Sequence, residues 1–459
     1  MAANKAGIIP RLYLAAGRPV TQSLPPTALR PSACPGLLRI VQASDGGICR
    51  IKLNGGAISA AQAMAVAEAA ERYAGGVIEA TNRANLQIRG IGSEQRPLIE
   101  CLLAAGLGPK TAAGDDVRNL MLSPGAGIDR HMLFDTRPLA EQILASLQSH
   151  ERFHQLSAKF AVQLDGGEAL AMLEHPHDLW LSAVERNGEQ WLAFGLAGCP
   201  TDTPAGAVLR NDGHTLVVAV LELFLDLARP DQTRMRHVLA ERSLASVVQA
   251  LAERVPLTPI SDWQRPESRP GLHIGTYPQR QEGLVYVGAV PPLGRLDASM
   301  LKGAASLAEA FGDGSLRLTP WQSLLLPNIR QQDASALSEG MQALGFLVSA
   351  DQALAHLVAC TGSAGCGKGL ADTKGDALQL STQLQSRGDR VHVHLSGCPR
   401  SCASAHIAPI TLLAVSPGHY DLYFRDAGQP GFGALQARNL TIEAAGAVLD
   451  ARPRSPLDA

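Results

Sequence analysis

The sequence predicts a mixed α/β (α+β) protein built by internal duplication, and three observations carry that expectation. A helix, a turn and a strand recur without a gap: Ser59 pairs with Asp297, Gly76 with Gly314, Thr81 with Thr319 and Ile91 with Ile329, always 238 positions apart. Chance similarity does not keep register across three different local structures. The segments that follow repeat more loosely, with 159–167 echoing 390–398, Leu122-Ser123 echoing Ala359-Cys360, and Asp178-Leu-Trp-Leu echoing Asp421-Leu-Tyr-Phe. Strand-like apolar runs also alternate with helical stretches at 137–147 and 377–385, as mixed α/β units do. A chain of 459 residues exceeds one core, and four units are expected: 33–112, 113–255, 270–345 and 350–440.

Each element has a local cause. Residues 1–32, rich in proline and arginine, read as an extended arm, and compact structure begins near Cys34. Ser59 and Gln62 have the spacing of a capping box, Gly75-Gly76 ends the helix, and a strand follows at 77–81. In the second copy Asp297 starts the helix, Gly312-Asp-Gly314 ends it, and 315–319 is the strand. Linkers are expected near 256–270 and 331–335. Only 4% of residues are aromatic, so the cores must be aliphatic.

A formal charge of −2 excludes a strong electrostatic footprint for nucleic acid or membrane. The N-terminal stretch has no apolar segment of signal-peptide length, and no run approaches the about 18 apolar residues of a membrane span. The expectation is a cytoplasmic protein with reduced thiols.

Four of the eight cysteines form two pairs near the end of the chain, Cys360 with Cys366 and Cys398 with Cys402, separated by 31 residues. Both pairs sit on glycine-containing turns after apolar runs, so two strand ends would each present two thiolates to one point. Four thiolates on loops are what an iron–sulfur cube requires. Structural zinc is the first alternative, but five residues inside the first pair is loose for it. Disulfides would need an oxidising compartment. A phosphate loop fits Gly362 to Lys368, but Gly369 stands where the Mg²⁺-binding hydroxyl belongs. Cys34, Cys49, Cys101 and Cys199 read as small buried hydrophobes. Leu196-Ala-Gly-Cys199-Pro copies the surroundings of Cys398, yet Thr203 replaces the second cysteine.

The other half carries charge. In Thr81-Asn-Arg-Ala-Asn-Leu-Gln-Ile-Arg89, a period of two places Arg83, Asn85, Gln87 and Arg89 on one face of an extended segment. The second copy has Trp321, Ser323, Leu325 and Pro327 there, so the polar face belongs to one half only. Arg118, Asn119 and Lys159 follow. A solvated strand edge is the plain alternative. With cations in one copy and thiolates in the other, the arrangement suits a polyanion beside a redox centre, because arginine forks match carboxylates.

These features together resemble the sulfite/nitrite reductase family over about 34–424, and the two cysteine pairs are the most specific part. The resemblance implies a duplicated fold with ferredoxin-like halves (33–112 and 270–345) and two larger α/β domains (113–255, and 350–440 with the cysteines). It implies a 4Fe–4S cluster on Cys360, Cys366, Cys398 and Cys402 beside sirohaem, with Cys402 as the bridging cysteine. It also implies active-site roles for Arg83, Arg118 and Lys159, within a binding set of Arg83, Asn85, Gln87, Arg89, Arg118, Asn119, Lys159 and Arg400. The family's sulfite reductases have a second lysine two residues after the first, whereas this chain has Ala161.

Within the family, the opening Ala33-Cys-Pro-Gly-Leu-Leu-Arg39 and Asp45-Gly-Gly are most similar to the precorrin-3B synthase branch of aerobic cobalamin biosynthesis. That likeness implies an O₂-dependent monooxygenase that hydroxylates a meso carbon of precorrin-3A and closes a lactone. The tetrapyrrole is then substrate, and sirohaem belongs to the alternative, a sulfite or nitrite reductase. The likeness also implies a mononuclear non-haem iron, for which His392, His394 and His406 are the candidate ligands. No G-x-G-x-x-G signature is evident, so electrons are expected from a separate NAD(P)H-using reductase. A non-catalytic Cys₄ zinc module is the reading from another class.

Overall fold

Four five-stranded sheets carry the chain. The structure, a computed structural model, describes residues 34–260, 262–385, 391–426, 429 and 431–451. The expected arm at 1–32 lies outside them.

The ungapped repeat is visible in three dimensions. Helices Ala60–Ala74 and Ala298–Phe311 correspond, as do strands Val77–Ala80 and Ser315–Leu318, and Leu86–Ile91 and Leu324–Arg330. Both helices start on a side-chain cap. Ser59 Oγ accepts the Gln62 N–H at 3.2 Å while Gln62 Oε1 accepts the Ser59 N–H at 3.2 Å, and Asp297 Oδ1 accepts the Met300 N–H at 2.8 Å. Such a cap stabilises a helix by about 1 kcal/mol. Gly75, with φ 67°, ends the first helix. The left-handed residues repeat at the same spacing: Gly55 with Leu293, Gly56 with Gly294, Gly76 with Gly314, Ala84 with Gln322, and Gly90 with Asn328.

The two copies are not separate bodies. Strand Ala57–Ser59 pairs with Ser315–Leu318 in the second copy's sheet, and Arg295–Asp297 pairs with Val77–Ala80 in the first copy's sheet. Each copy therefore lends the strand before its helix to the other. Ile58 and Leu296, at 2% and 1% exposure, anchor the lent strands. Burying such a side chain stabilises by about 1.5–3 kcal/mol, so a charge at Ile58 would undo the exchange. The alanine-rich helices pack on each other, and one apolar core runs through both copies.

The two larger sheets share one topology. The first runs Leu120–Leu122, Val162–Asp165, His177–Arg186, Glu189–Gly198, Gly206–Leu209; the second runs Leu357–Ala359, Val393–Ser396, Ile410–Ser416, His419–Phe424, Ala434–Leu440. In both, the first three strands are parallel and the rest antiparallel. This order corrects one expected echo. Asp178 lies on the third strand of its sheet and Asp421 on the fourth of the other, so their similar neighbours are coincidental. The expected linker at 331–335 is instead a short turn, Gln331–Asp333, running into helix Ala334–Ala343, because Arg330 and Asp333 close it with a 2.6 Å ion pair. Among the described residues no helix is long and apolar enough to cross a membrane.

Candidate active site

A cleft of about 1880 Å³ runs between the halves, and both cysteine pairs and most of the cationic residues line it. That volume exceeds the ~300–1,000 Å³ of an ordinary small-molecule pocket. Cys360 follows strand Leu357–Ala359 and Cys398 follows Val393–Ser396, so the parallel pairing of these strands delivers both turns to one edge. Glycines allow the approach. A Cβ on Gly397 would stand 3.2 Å from Gly369 Cα and 3.4 Å from Cys360 Sγ, and one on Gly365 would stand 2.5 Å from Asp45 Oδ2.

All four thiols are free. Burial raises the Cys402 thiol above its ordinary range, and its three partner cysteines raise it further, which records their convergence. The Gly397 N–H donates to Cys360 Sγ at 3.2 Å, the kind of bond that stabilises cluster sulfur. The loop is held by the paired turns of the repeat. Asn82 Nδ2 donates to Cys402 O at 3.3 Å, and Gln322 Nε2 to Ala403 O at 3.1 Å. Those turns are alike because Thr81 and Thr319 N–H groups donate to Asn85 and Ser323 carbonyls at 2.9 and 3.0 Å, with Ala84 and Gln322 left-handed inside. Four free thiols on one wall, one of them (Cys360) already receiving an N–H at its sulfur, fit a 4Fe–4S cluster.

The expected binding residues divide. Arg83, Asn85, Gln87, Arg89, Asn119, Lys159 and Arg400 all line the cleft. Arg83 and Asn85 reach it from the Thr81–Asn85 turn rather than from a strand face, since the strand begins only at Leu86. Arg83 Nη1 is buried without a partner. Burial and then the Arg234 charge lower its pKa to about 10, against the pull of Asp178, so it stays charged at neutral pH. Arg50 Nε is likewise buried and unpartnered. Buried donors without acceptors are the fit a carboxylated ligand requires. Lys159 is exposed on the rim and Arg400 beside Cys402.

The remaining polar groups are committed to protein. Arg89 grips Asp45 with two bonds of 2.9 Å and donates to Gly365 O at 2.9 Å. Asn85 Oδ1 accepts the Leu53 N–H at 2.8 Å, and Asn119 Nδ2 bonds three backbone carbonyls. These set the shape of the wall. Arg118 departs from expectation. It is 6% exposed, does not line the cleft, and turns inward to Asp115 at 3.3 Å, because both lie one turn apart on the short Gly114–Val117 helix and its cap.

The expected iron ligands also do not form a set. His392 precedes its strand and meets the His356 ring edge-on at 4.7 Å, His394 is buried, and His406 lies tilted against His175 at 5.1 Å. Among the described residues no three His, Cys, Asp or Glu side chains are grouped tightly enough to hold a single metal ion; a four-iron cluster takes its thiolates on separate irons and so spaces them more widely. His392 and His406 are drawn to different ring partners, and His394 is buried on its strand.

Three cations escaped the sequence reading. Arg50 and Lys52 line the cleft from strand Gly46–Ile51 and the residue after it, while Cys49 and Ile51 between and beside them are fully buried. Their period of two, and Gly288 and Val290 at the matching positions of the second copy, were the available signal. Arg234 had none, because it enters from a turn; its Nε donates to both Asp178 oxygens, at 2.9 and 2.8 Å. Asp178 Oδ2 also accepts the Ala161 N–H at 2.9 Å. Cys34 and Cys199, expected in cores, line the cleft as well.

Known proteins are similar to this chain in sequence and fold. A family described as the nitrite/sulfite reductase ferredoxin-like half domain matches residues 40–106 and 277–344, and the nitrite and sulphite reductase 4Fe-4S domain matches 113–258. The latter falls on the α/β copy without the cysteine pairs. A ferredoxin–nitrite reductase of Zea mays is 31% identical over 394 residues, covering 79% of this chain and 68% of the relative. A precorrin-3B synthase of a Sinorhizobium species is 27% identical over 396 residues, covering 85% and 82%. The NirA protein of Mycobacterium tuberculosis superposes with a TM-score of 0.73 at 22% identity over 88% of this chain and 79% of that one, a likeness of fold.

Proposed function

Because the chain belongs to the nitrite/sulfite reductase family, whose members are oxidoreductases, we propose that it is an O₂-dependent monooxygenase converting precorrin-3A to precorrin-3B. The observation that carries this reading is position 161. The family's sulfite reductases present a lysine there to a small oxyanion, whereas Ala161 is apolar, 3% exposed, and tied through its N–H to Asp178. Cations remain where carboxylates would lie. The 82% of the Sinorhizobium precorrin-3B synthase spanned by this chain supports the same reading, against 68% of the maize nitrite reductase.

In this account the chain binds and orients. Arg83 and Arg50 offer unpartnered donors to side-chain carboxylates of the tetrapyrrole, and Lys159 and Arg400 offer charge at the rim. Arg234, held through Nε by Asp178, also lines the cleft, and a guanidinium fork there would match a carboxylate. When bound, a 4Fe–4S cluster supplies electrons singly. A separate NAD(P)H-using reductase would replenish them, and the compartment would be the cytoplasm.

The second reading is a sirohaem-dependent nitrite reductase, favoured by the higher identity of the plant enzymes. A spectrum of anaerobically purified protein separates the two. A broad brown absorption without sharp chlorin-type peaks, and no nitrite or sulfite turnover with a reduced dye, is the expected result. Sharp peaks with brisk nitrite reduction would establish the second reading instead.

A further inference from the structure

Behind the first cysteine pair lies a buried group of charges that touches the residues on both sides of Cys360. Glu79, on strand Val77–Ala80, has a side chain 9% exposed. It accepts from Arg295 at 2.8 Å, from Gln87 at 3.0 Å and from the Thr361 hydroxyl at 3.3 Å, with Lys374 Nζ and Arg89 Nη1 each at 3.8 Å. Lys374, near the start of helix Thr373–Gln385, is 9% exposed and donates to Leu293 O at 2.6 Å and Ala359 O at 3.3 Å. Ala359 and Thr361 flank Cys360. Lys374 and Glu79 thus brace the residues on the two sides of Cys360, while Arg89, the other buried cation beside Glu79, donates to Gly365 next to Cys366.

We infer that Lys374 and Glu79 set the reduction potential of the cluster held by the four cysteines, Lys374 raising it and Glu79 lowering it. This rests on the cluster reading of Cys360, Cys366, Cys398 and Cys402. The one-electron reduction of a cluster adds a negative charge to it. A buried cation stabilises that added charge and a buried carboxylate opposes it, with little water to screen either. Net charge and hydrogen bonds at sulfur are the protein's levers on cluster potential. The pair has the position for both, because it also fixes the turn in which Gly397 N–H and the Thr373 hydroxyl meet Cys360 Sγ, at 3.2 and 3.6 Å. A purely structural brace would respond alike to the loss of either partner. A charge pair responds with opposite signs.

The test uses the full chain carrying Lys374→Met or Glu79→Gln, with clusters assembled anaerobically and iron and sulfide measured first. Each protein is then titrated with dithionite and redox mediators, and cluster reduction is followed by electron paramagnetic resonance. At the poise that half-reduces the wild type, the reduced-to-oxidised ratio should fall about tenfold in Lys374→Met and rise about tenfold in Glu79→Gln. Tenfold corresponds to about 59 mV for a one-electron couple. Lys374→Arg should restore the wild-type value, and Arg295→Met, at a more exposed partner of Glu79, should shift in the direction of Lys374→Met. Unchanged potentials, or shifts of one sign for Lys374→Met and Glu79→Gln, would overturn the inference. So would loss of the cluster in both of those variants with the wild type loaded, which would make the pair a folding element. A wild type that assembles no cluster would refute the underlying cluster reading instead.

Discussion

The two α/β copies place different chemistry at matching points of one framework. Cys360 follows the first parallel strand of its sheet and Cys398 comes two residues after the second; in the other copy Ser123 and Gly167 hold those places. There the space is closed by charge. Arg265 grips the fully buried Asp165 at 2.5 and 2.9 Å and donates to Glu168 O at 2.7 Å. Gly167 N–H and the Ser123 hydroxyl also donate to Asp165, at 3.1 and 3.5 Å. Ser182 completes the group. One copy thus presents thiols to an open cleft, and the other seals the equivalent edge with a neutralised ion cluster. Duplication supplied the scaffold, and side chains at a few turn positions decided which edge reacts.

The largest expected effect tests the open copy. Replacing Cys360, Cys366, Cys398 or Cys402 by Ser should reduce cluster content to near zero or convert it, by iron and sulfide analysis, and leave circular dichroism unchanged. Full stoichiometry in all four variants would erase the distinction between the copies.

The sealed copy should fail differently. Arg265→Ala leaves the Asp165 carboxylate buried and unpaired, and removal of one partner of such a pair costs about 3–5 kcal/mol. Chemical denaturation should show that loss, and clusters should still assemble on the folded fraction.

Smaller effects separate cleft cations from structural ones. A charge-assisted hydrogen bond lost at Arg83→Ala costs about 1.5–3 kcal/mol, a roughly ten- to hundredfold weaker Kd for a carboxylated tetrapyrrole. Stability should hardly move. Arg118→Ala should do the reverse, keeping affinity and lowering stability, because its guanidinium serves Asp115 rather than the cleft. Equal affinity losses in both variants would restore Arg118 to the site.

That contrast marks where the sequence was readable. The 238-residue register was legible because caps, left-handed turn positions and strand faces are local features, and both copies retain them. The exchange of Ala57–Ser59 and Arg295–Asp297 was not, since three residues carry no information about which sheet they join. The cationic face around Arg83 was found because it is absent from the second copy; Arg50 and Lys52 satisfied the same criterion. Arg118 misled because motif position does not tell where a guanidinium turns, and Asp115 three residues earlier competed for it. His392 and His394 misled in the same way, since a shared strand face was inferred for a residue that precedes the strand.

The smallest effect is a matter of pH. Burial and then the Asp165 charge push the Glu168 carboxyl well above its usual range. A folded-state pKa above the unfolded value contributes stability at low pH that is lost as pH rises past the ordinary glutamate range towards the folded value. Glu168→Gln should therefore flatten the decline in stability that begins as pH rises above the ordinary glutamate range, read from denaturation midpoints across pH. An unchanged slope would remove Glu168 from the neutral seal.

The central claim is that the cleft holds a tetrapyrrole as reactant beside a cluster, with O₂ as co-substrate. The direct measurement supplies cluster-loaded protein with precorrin-3A, an electron donor and isotopically labelled O₂, and reads product mass. The account predicts a tetrapyrrole heavier by one labelled oxygen atom, formed only when donor and O₂ are both present. A tetrapyrrole recovered unlabelled from protein that reduces nitrite under the same conditions would contradict it.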